Sequence, residues 1–154
     1  MSSRAGIAFM DLSIALRKQQ SLYDRDVEDY VRSVNRRLGK DVVLIVPVGQ
    51  AAVALREKIV AGQAPGLKAQ WDLFIDTWGH AQAPLRVLSA YCHFAVIYRR
   101  SPVGLPVPRE LARAQGIDQK EELNRLLQQL AWDAVRRHPL AGIEESWVDQ
   151  PSAK

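Results

Sequence analysis

The 154 residues are 47% apolar and 25% charged, with a formal net charge of +4. That is the composition of one ordinary globular domain with enough chain to bury a core, and so mild a charge permits acidic partners without requiring them. Cys92, the single cysteine, excludes an internal disulfide framework, and no stretch approaches the roughly 20 uninterrupted apolar residues that span a bilayer.

Residues 1–16 hold one arginine and an apolar run broken by Asp11, a poor signal peptide. As it stands the chain is expected in the cytoplasm. Residues 24–38 place Val27, Tyr30, Val31, Val34 and Leu38 at helical spacing, with Gly39 positioned as a C-terminal cap. Residues 42–48 follow as a continuous, largely β-branched apolar run, which predicts a strand buried on both faces, as in a parallel sheet under helices. Gly49 makes a turn, and a helix over 50–61 stops at Gly62. Pro65-Gly66 marks a loop, and Leu73-Phe74-Ile75 reads as a short second strand. Pro84 sits where a helix begins, and residues 85–98 are apolar nearly all round, which predicts a core helix.

Three prolines between residues 101 and 108 forbid regular structure there. Asp118 is placed as an N-cap with Glu121 three residues on, and Leu123, Leu126, Leu127, Leu130, Ala134 and Val135 then form a helical stripe. From Glu144 the chain is polar apart from Trp147. Residues 1–143 therefore form one partial α/β domain and residues 144–154 a polar tail that is expected to fray.

These elements predict a three-layer α/β/α fold, but a truncated one: one or two parallel strands with four to five helices. So small a sheet leaves backbone groups unpaired at its edges. Residues 5–14 supply another strand, or a partner chain completes the sheet, or the chain is the end of a larger protein.

The chemistry concentrates in Asp72-Leu73-Phe74-Ile75-Asp76-Thr77-Trp78-Gly79-His80. An acid and a histidine four residues apart, at the mouth of a buried helix, are two-thirds of a hydrolytic triad: the carboxylate fixes the imidazole tautomer while the other ring nitrogen takes a proton. Together with the strings RRLGKDVVLIVPVGQAAVALREKI, LFIDTWGHAQAPL and AYCHFAVIYRRSPVGLP, this order resembles the C-terminal half of SGNH/GDSL-type hydrolases, and more narrowly a planctomycete-like group of uncharacterised bacterial proteins related to them. The similarity covers roughly residues 26–108. It implies an SGNH/flavodoxin-like fold, with Asp76 as the triad acid and His80 as the general base on one late loop ahead of the last core helix. It also leaves room for export of full-length relatives.

The chain departs from that pattern in two places. Three residues separate Asp76 from His80 where the family has two. More seriously, no Gly-Asp-Ser and no Gly-x-Asn occurs anywhere, so the nucleophile and its oxyanion donors are missing and triad-type ester hydrolysis by this chain alone is not expected. A separate N-terminal portion would have to supply them, or the chain self-associates. The alternative is a non-catalytic interaction module docking through a sheet edge and the Trp71/Trp78 loop.

Other candidates have plainer readings. Trp71 and Trp78 flank the acid loop and are the substrate-pocket candidates, although they could equally bury into a partner. Asp72 reads as a solvated charge. Asp76, His80, Cys92 and His93 could be imagined around zinc, but adjacent helical residues point about 100° apart and no CxxC or HExxH spacing exists, so neither metal nor cofactor is expected. His93 reads as a satisfied core histidine and His138 as a cation at a helix C-terminus. The pairs Arg36-Arg37, Arg99-Arg100 and Arg136-Arg137 each fall at a helix end, where the dipole alone favours them, so no nucleic acid is expected. Ser89 and Ser101, the serines nearest the pair, lack the strand-to-helix elbow that activates a nucleophile.

Overall fold

Helix α1 runs over Ser3–Leu38, about 54 Å at 1.5 Å per residue. The computed structural model describes the backbone of residues 3–143 and the side chains of residues 14–143. After α1 come α2 (Val48–Val60), a 3-10 turn (Gln70–Leu73), α3 (Ala83–Tyr98), α4 (Arg109–Ala112) and α5 (Lys120–Arg137). The tail from Glu144, with Trp147, lies outside the described residues.

The expected α/β sandwich is not what forms. The described residues contain no strand, and their single β-type pairing is an isolated antiparallel bridge between Phe74 and Ala81. Residues 5–14 belong to α1 and supply no strand. Residues 42–48 run as irregular chain into the first residue of α2, and their backbone groups find partners other than a neighbouring strand. Asn35, buried near the end of α1, accepts from the amides of Val42 (3.2 Å) and Val43 (3.0 Å) and donates to the Val43 carbonyl (3.0 Å). The Ile45 amide donates to Leu140 O at 2.9 Å, and Pro47 has no amide to pair. One buried asparagine thus does for this segment what a ladder would have done, because buried backbone groups must be paired by something. The β-branched run satisfies its apolar side chains against helices: Leu44, Ile45 and Val46 are half-buried, and Leu44, Val46 and Val48 pack against the core. Strand propensity describes a fit to a half-buried surface, and a helical surface serves as well.

The core lies where α2, α3 and α5 meet, with the most extensive pairing between α3 and α5. Leu55 of α2, Leu88 and Cys92 of α3, and Leu123, Leu127 and Val135 of α5 are fully buried. Removing each such leucine from water contributes about 1.5–3 kcal/mol. The helical stripe expected on α5 is therefore the buried one, although its start differs. The cap position is Gln119, with no side-chain capping bond, so Asp118 does not close the first turn. Pro84 falls in the first turn of α3 as expected, and α1 stops where Gly39 takes the left-handed φ of 67° that a Cβ would disfavour. Helix α1 packs chiefly on α2, with an Arg17–Glu57 ion pair along the seam.

Apolar residues all round α3 do not make it buried all round: Ile97 and Tyr98 face out at its C-terminal end, with the Tyr98 ring tilted on Phe94. Residues 101–108 cross from α3 to α4 without regular structure, as their prolines require, and a buried polar network holds them. Tyr91 Oη donates to Asn124 Oδ1 (2.6 Å), Asn124 Nδ2 and Gln128 Nε2 donate to Leu105 O (3.2 and 2.7 Å), and the Gly104 amide donates to Gln128 Oε1 (3.1 Å). This network fixes the approach of α4 to α3, and α4 carries part of the surface described next. No helix among the described residues is long and apolar enough to cross a membrane.

Candidate functional site

Asp76 and His80 sit on the loop closed by the Phe74–Ala81 bridge. The Ile75 amide donates to His80 O (2.7 Å) and the Gln82 amide to Leu73 O (2.8 Å), so the chain leaves the 3-10 turn, reverses, and enters α3 through one short antiparallel contact. The second strand expected at Leu73-Phe74-Ile75 is reduced to that one bridge. Reversal happens at Gly79, whose φ of 89° is open to glycine and strained for other residues.

Within the loop Asp76 is the hub. Its Oδ1 accepts from the amides of Trp78 (3.0 Å) and His80 (3.2 Å), and its Oδ2 lies 2.5 Å from His80 Nδ1. The bond to the His80 ring, seconded by those amides, holds the Asp76 carboxyl below the usual carboxylate range. An ionised carboxylate at that distance accepts, so Nδ1 is the donor of this bond. In the neutral ring that leaves the lone pair on Nε2, which has no partner among the described residues, and the side chain is 73% exposed. The arrangement can orient an imidazole and present its lone pair to whatever arrives.

Among the described residues no serine, threonine or cysteine is bonded to His80, so none is placed as a nucleophile. Ser101 Oγ accepts from the Val103 amide in a local turn, and Ser89 lies half-buried within α3, offering its carbonyl to His93 Nδ1 (2.7 Å). Cys92 is fully buried, and burial pushes its thiol up to about 12, far from any thiolate role.

The remaining candidates are separated in space or play other parts. Trp78 is 89% exposed at the turn and Trp71 is 66% exposed on the 3-10 turn, and neither borders the two clefts of about 780 and 720 Å³. Asp72 is more than a solvated charge, because its Oδ2 accepts from the amides of Lys68 (2.7 Å) and Ala69 (2.9 Å) and so caps the 3-10 turn. His93 is exposed, contrary to its expected place in the core. His138 is the opposite case: as the C-cap of α5 it is buried, its Nδ1 accepts from the Leu140 amide (3.2 Å), and burial outweighs Glu28 and Asp24 to lower its pKa. The expected helix-end cation is thus held neutral. The arginine pairs do fall at the ends of α1, α3 and α5. No group of three or more His, Cys, Asp or Glu side chains suited to a metal occurs among the described residues.

Sequence reasoning missed Asn35, Asn124 and Gln128 as buried polar residues. The latter two carried a usable signal, since they lie four apart beside Leu123 and Leu127 and so share a face of α5 with the stripe. It also missed a cleft of about 780 Å³ between the start of α3, α4 and the loops around Lys68 and Gly116. Arg86 borders this cleft and ties its parts together. It donates to Ala81 O at the exit of the Asp76/His80 loop (2.8 Å) and pairs through Nε (2.9 Å) and Nη2 with Glu110 of α4. No family model, no curated protein and no solved structure matches the chain.

Proposed function

We propose that the chain carries the acid–base half of a hydrolytic site, with Asp76 orienting His80 and His80 accepting a proton through Nε2, while the nucleophile and oxyanion donors are supplied by a separate polypeptide portion. The single observation that supports this best is the Asp76 Oδ2–His80 Nδ1 contact of 2.5 Å, on a carboxylate held by two loop amides and an imidazole otherwise open to solvent. The loop that carries the pair leads directly into α3, so a core helix anchors it. The reaction class is acyl transfer from an ester to water, begun by removal of a proton from a hydroxyl.

An exposed, oriented imidazole should act weakly even without its nucleophile, using water instead. The slow hydrolysis of p-nitrophenyl acetate by the purified chain should fall measurably in His80→Ala, well short of the 10²–10⁴-fold typical of general-base catalysis in an assembled site. Equal rates for the wild type and His80→Ala would overturn the proposal.

The exposure of Trp78, Trp71 and Ile75 around the same loop favours a second reading, an interaction module that docks through these apolar side chains. Docking by a sheet edge has no basis here, since the described residues contain no sheet. Sedimentation of the purified chain separates the two. An assembly dispersed by Trp78→Ser with ester hydrolysis untouched by His80→Ala would favour the interaction module.

A further inference from the structure

The cleft between α3 and α4 carries a charge arrangement that the Asp76/His80 pair does not explain. Four cations border it, Lys68, Arg86, Arg109 and Arg113, against two carboxylates, Asp72 and Glu110. Both carboxylates are already engaged, Asp72 by the amides of Lys68 and Ala69 and Glu110 by Arg86. Among the described residues no hydrogen bond or ion pair occupies the Lys68 ammonium or the guanidinium groups of Arg109 and Arg113. Arg109 and Arg113 are four residues apart, at the first residue and the C-cap of α4, so they share a face and repel each other. Like charges at that spacing on a concave wall, with the nearby Glu110 already paired to Arg86, are relieved by an incoming anion.

We infer that this cleft binds a small phosphorylated ligand, with Arg109 and Arg113 gripping the phosphoryl oxygens and Lys68 adding a point charge. Guanidinium forks match phosphoryl oxygens in pairs, whereas an ammonium contributes charge without direction. The volume of about 780 Å³ lies within the range of small-molecule sites, so the cleft has room for a phosphoryl group carried on a larger ligand. Arg86, pinned between Ala81 O and Glu110, shapes the wall and is not free to bind.

The test is calorimetric titration of the whole chain with inorganic pyrophosphate at fixed ionic strength. Saturable binding at one site per chain is expected. Arg109→Gln/Arg113→Gln should weaken it by about tenfold or more, as loss of charged phosphoryl contacts does. Arg36→Gln/Arg37→Gln removes the same charge from the end of α1, away from the cleft, and should leave binding unchanged. Arg109 and Arg113 are exposed, so the cleft variant should keep the wild-type melting curve; Lys68→Gln is the second variant, expected to weaken binding less. Absence of saturable binding, wild-type affinity in the cleft variant, or equal losses in both double variants would each overturn the inference.

Discussion

Gln128 is the most informative residue to perturb, because its side chain is completely buried and ties an irregular crossing to the core. Gln128→Leu keeps most of the volume while removing the acceptor of the Gly104 amide (3.1 Å) and a donor to Leu105 O (2.7 Å). The 3.4 Å contact from Gln128 Nε2 to Tyr91 Oη is too long to add much. Leu105 O keeps Asn124 as a donor, so the loss amounts to two sound hydrogen bonds at about 1 kcal/mol each, roughly 2 kcal/mol in all. For a chain of this size that corresponds to a fall in Tm of roughly 4–8 °C. Gln128→Ala adds a cavity to the same loss and should cost roughly a further 2 kcal/mol. Urea unfolding followed by far-UV circular dichroism measures both, with an unchanged slope expected if the denatured ensemble is unaffected. A Gln128→Leu protein as stable as the wild type would refute the reasoning, since it would mean that apolar packing alone holds residues 101–108.

Two further predictions rest on buried titratable groups. His138 has a folded-state pKa below its ordinary 6.5, so the unfolded chain binds the proton more readily; its stabilising contribution is full above 6.5 and is lost as pH falls through the lower folded value. His138→Gln should therefore flatten the stability–pH profile just below pH 6.5, and parallel profiles would count against the buried, neutral imidazole. Asp76 also loses stability on acidification, but only below its ordinary 3.8, so the two windows separate. Cys92, with its thiol near 12, should resist Ellman's reagent in the native state at pH 8 and react fully in urea; rapid native labelling would contradict its burial.

The C-terminal ends of α1 and α2 and the buried stripe of α5 were legible because their signals are local, whereas the start of α1 at Ser3 and the short α4 were not. Gly39 and Gly62 mark where α1 and α2 give way, and the leucines of α5 are spaced to bury one face. The sheet was misread because a β-branched run from residue 42 onward looks the same whether its neighbours are strands or helices. What decided the matter was Asn35, seven residues before Val42, whose amide group occupies the backbone of Val42 and Val43. A single polar residue in a helix does not announce from sequence that it will be buried. The pairing of Asp76 with His80 was legible from spacing alone, whereas the exposure of Trp71 and Trp78 was not, since both fates suit an aromatic beside a loop. The cleft was invisible for a different reason: Lys68, Arg86 and Arg109 are far apart in the chain and are brought together only by the packing of α3 against α4.

Everything proposed for the Asp76/His80 loop turns on Asp76 holding the proton of neutral His80 on Nδ1. Nitrogen NMR of the imidazole rings, with the three histidines assigned through His80→Ala, reads this directly. Neutral His80 should carry its proton on Nδ1, with an unprotonated Nε2, and Asp76→Asn should abolish the preference. A proton on Nε2 in the wild type, or a tautomer indifferent to Asp76→Asn, would contradict it.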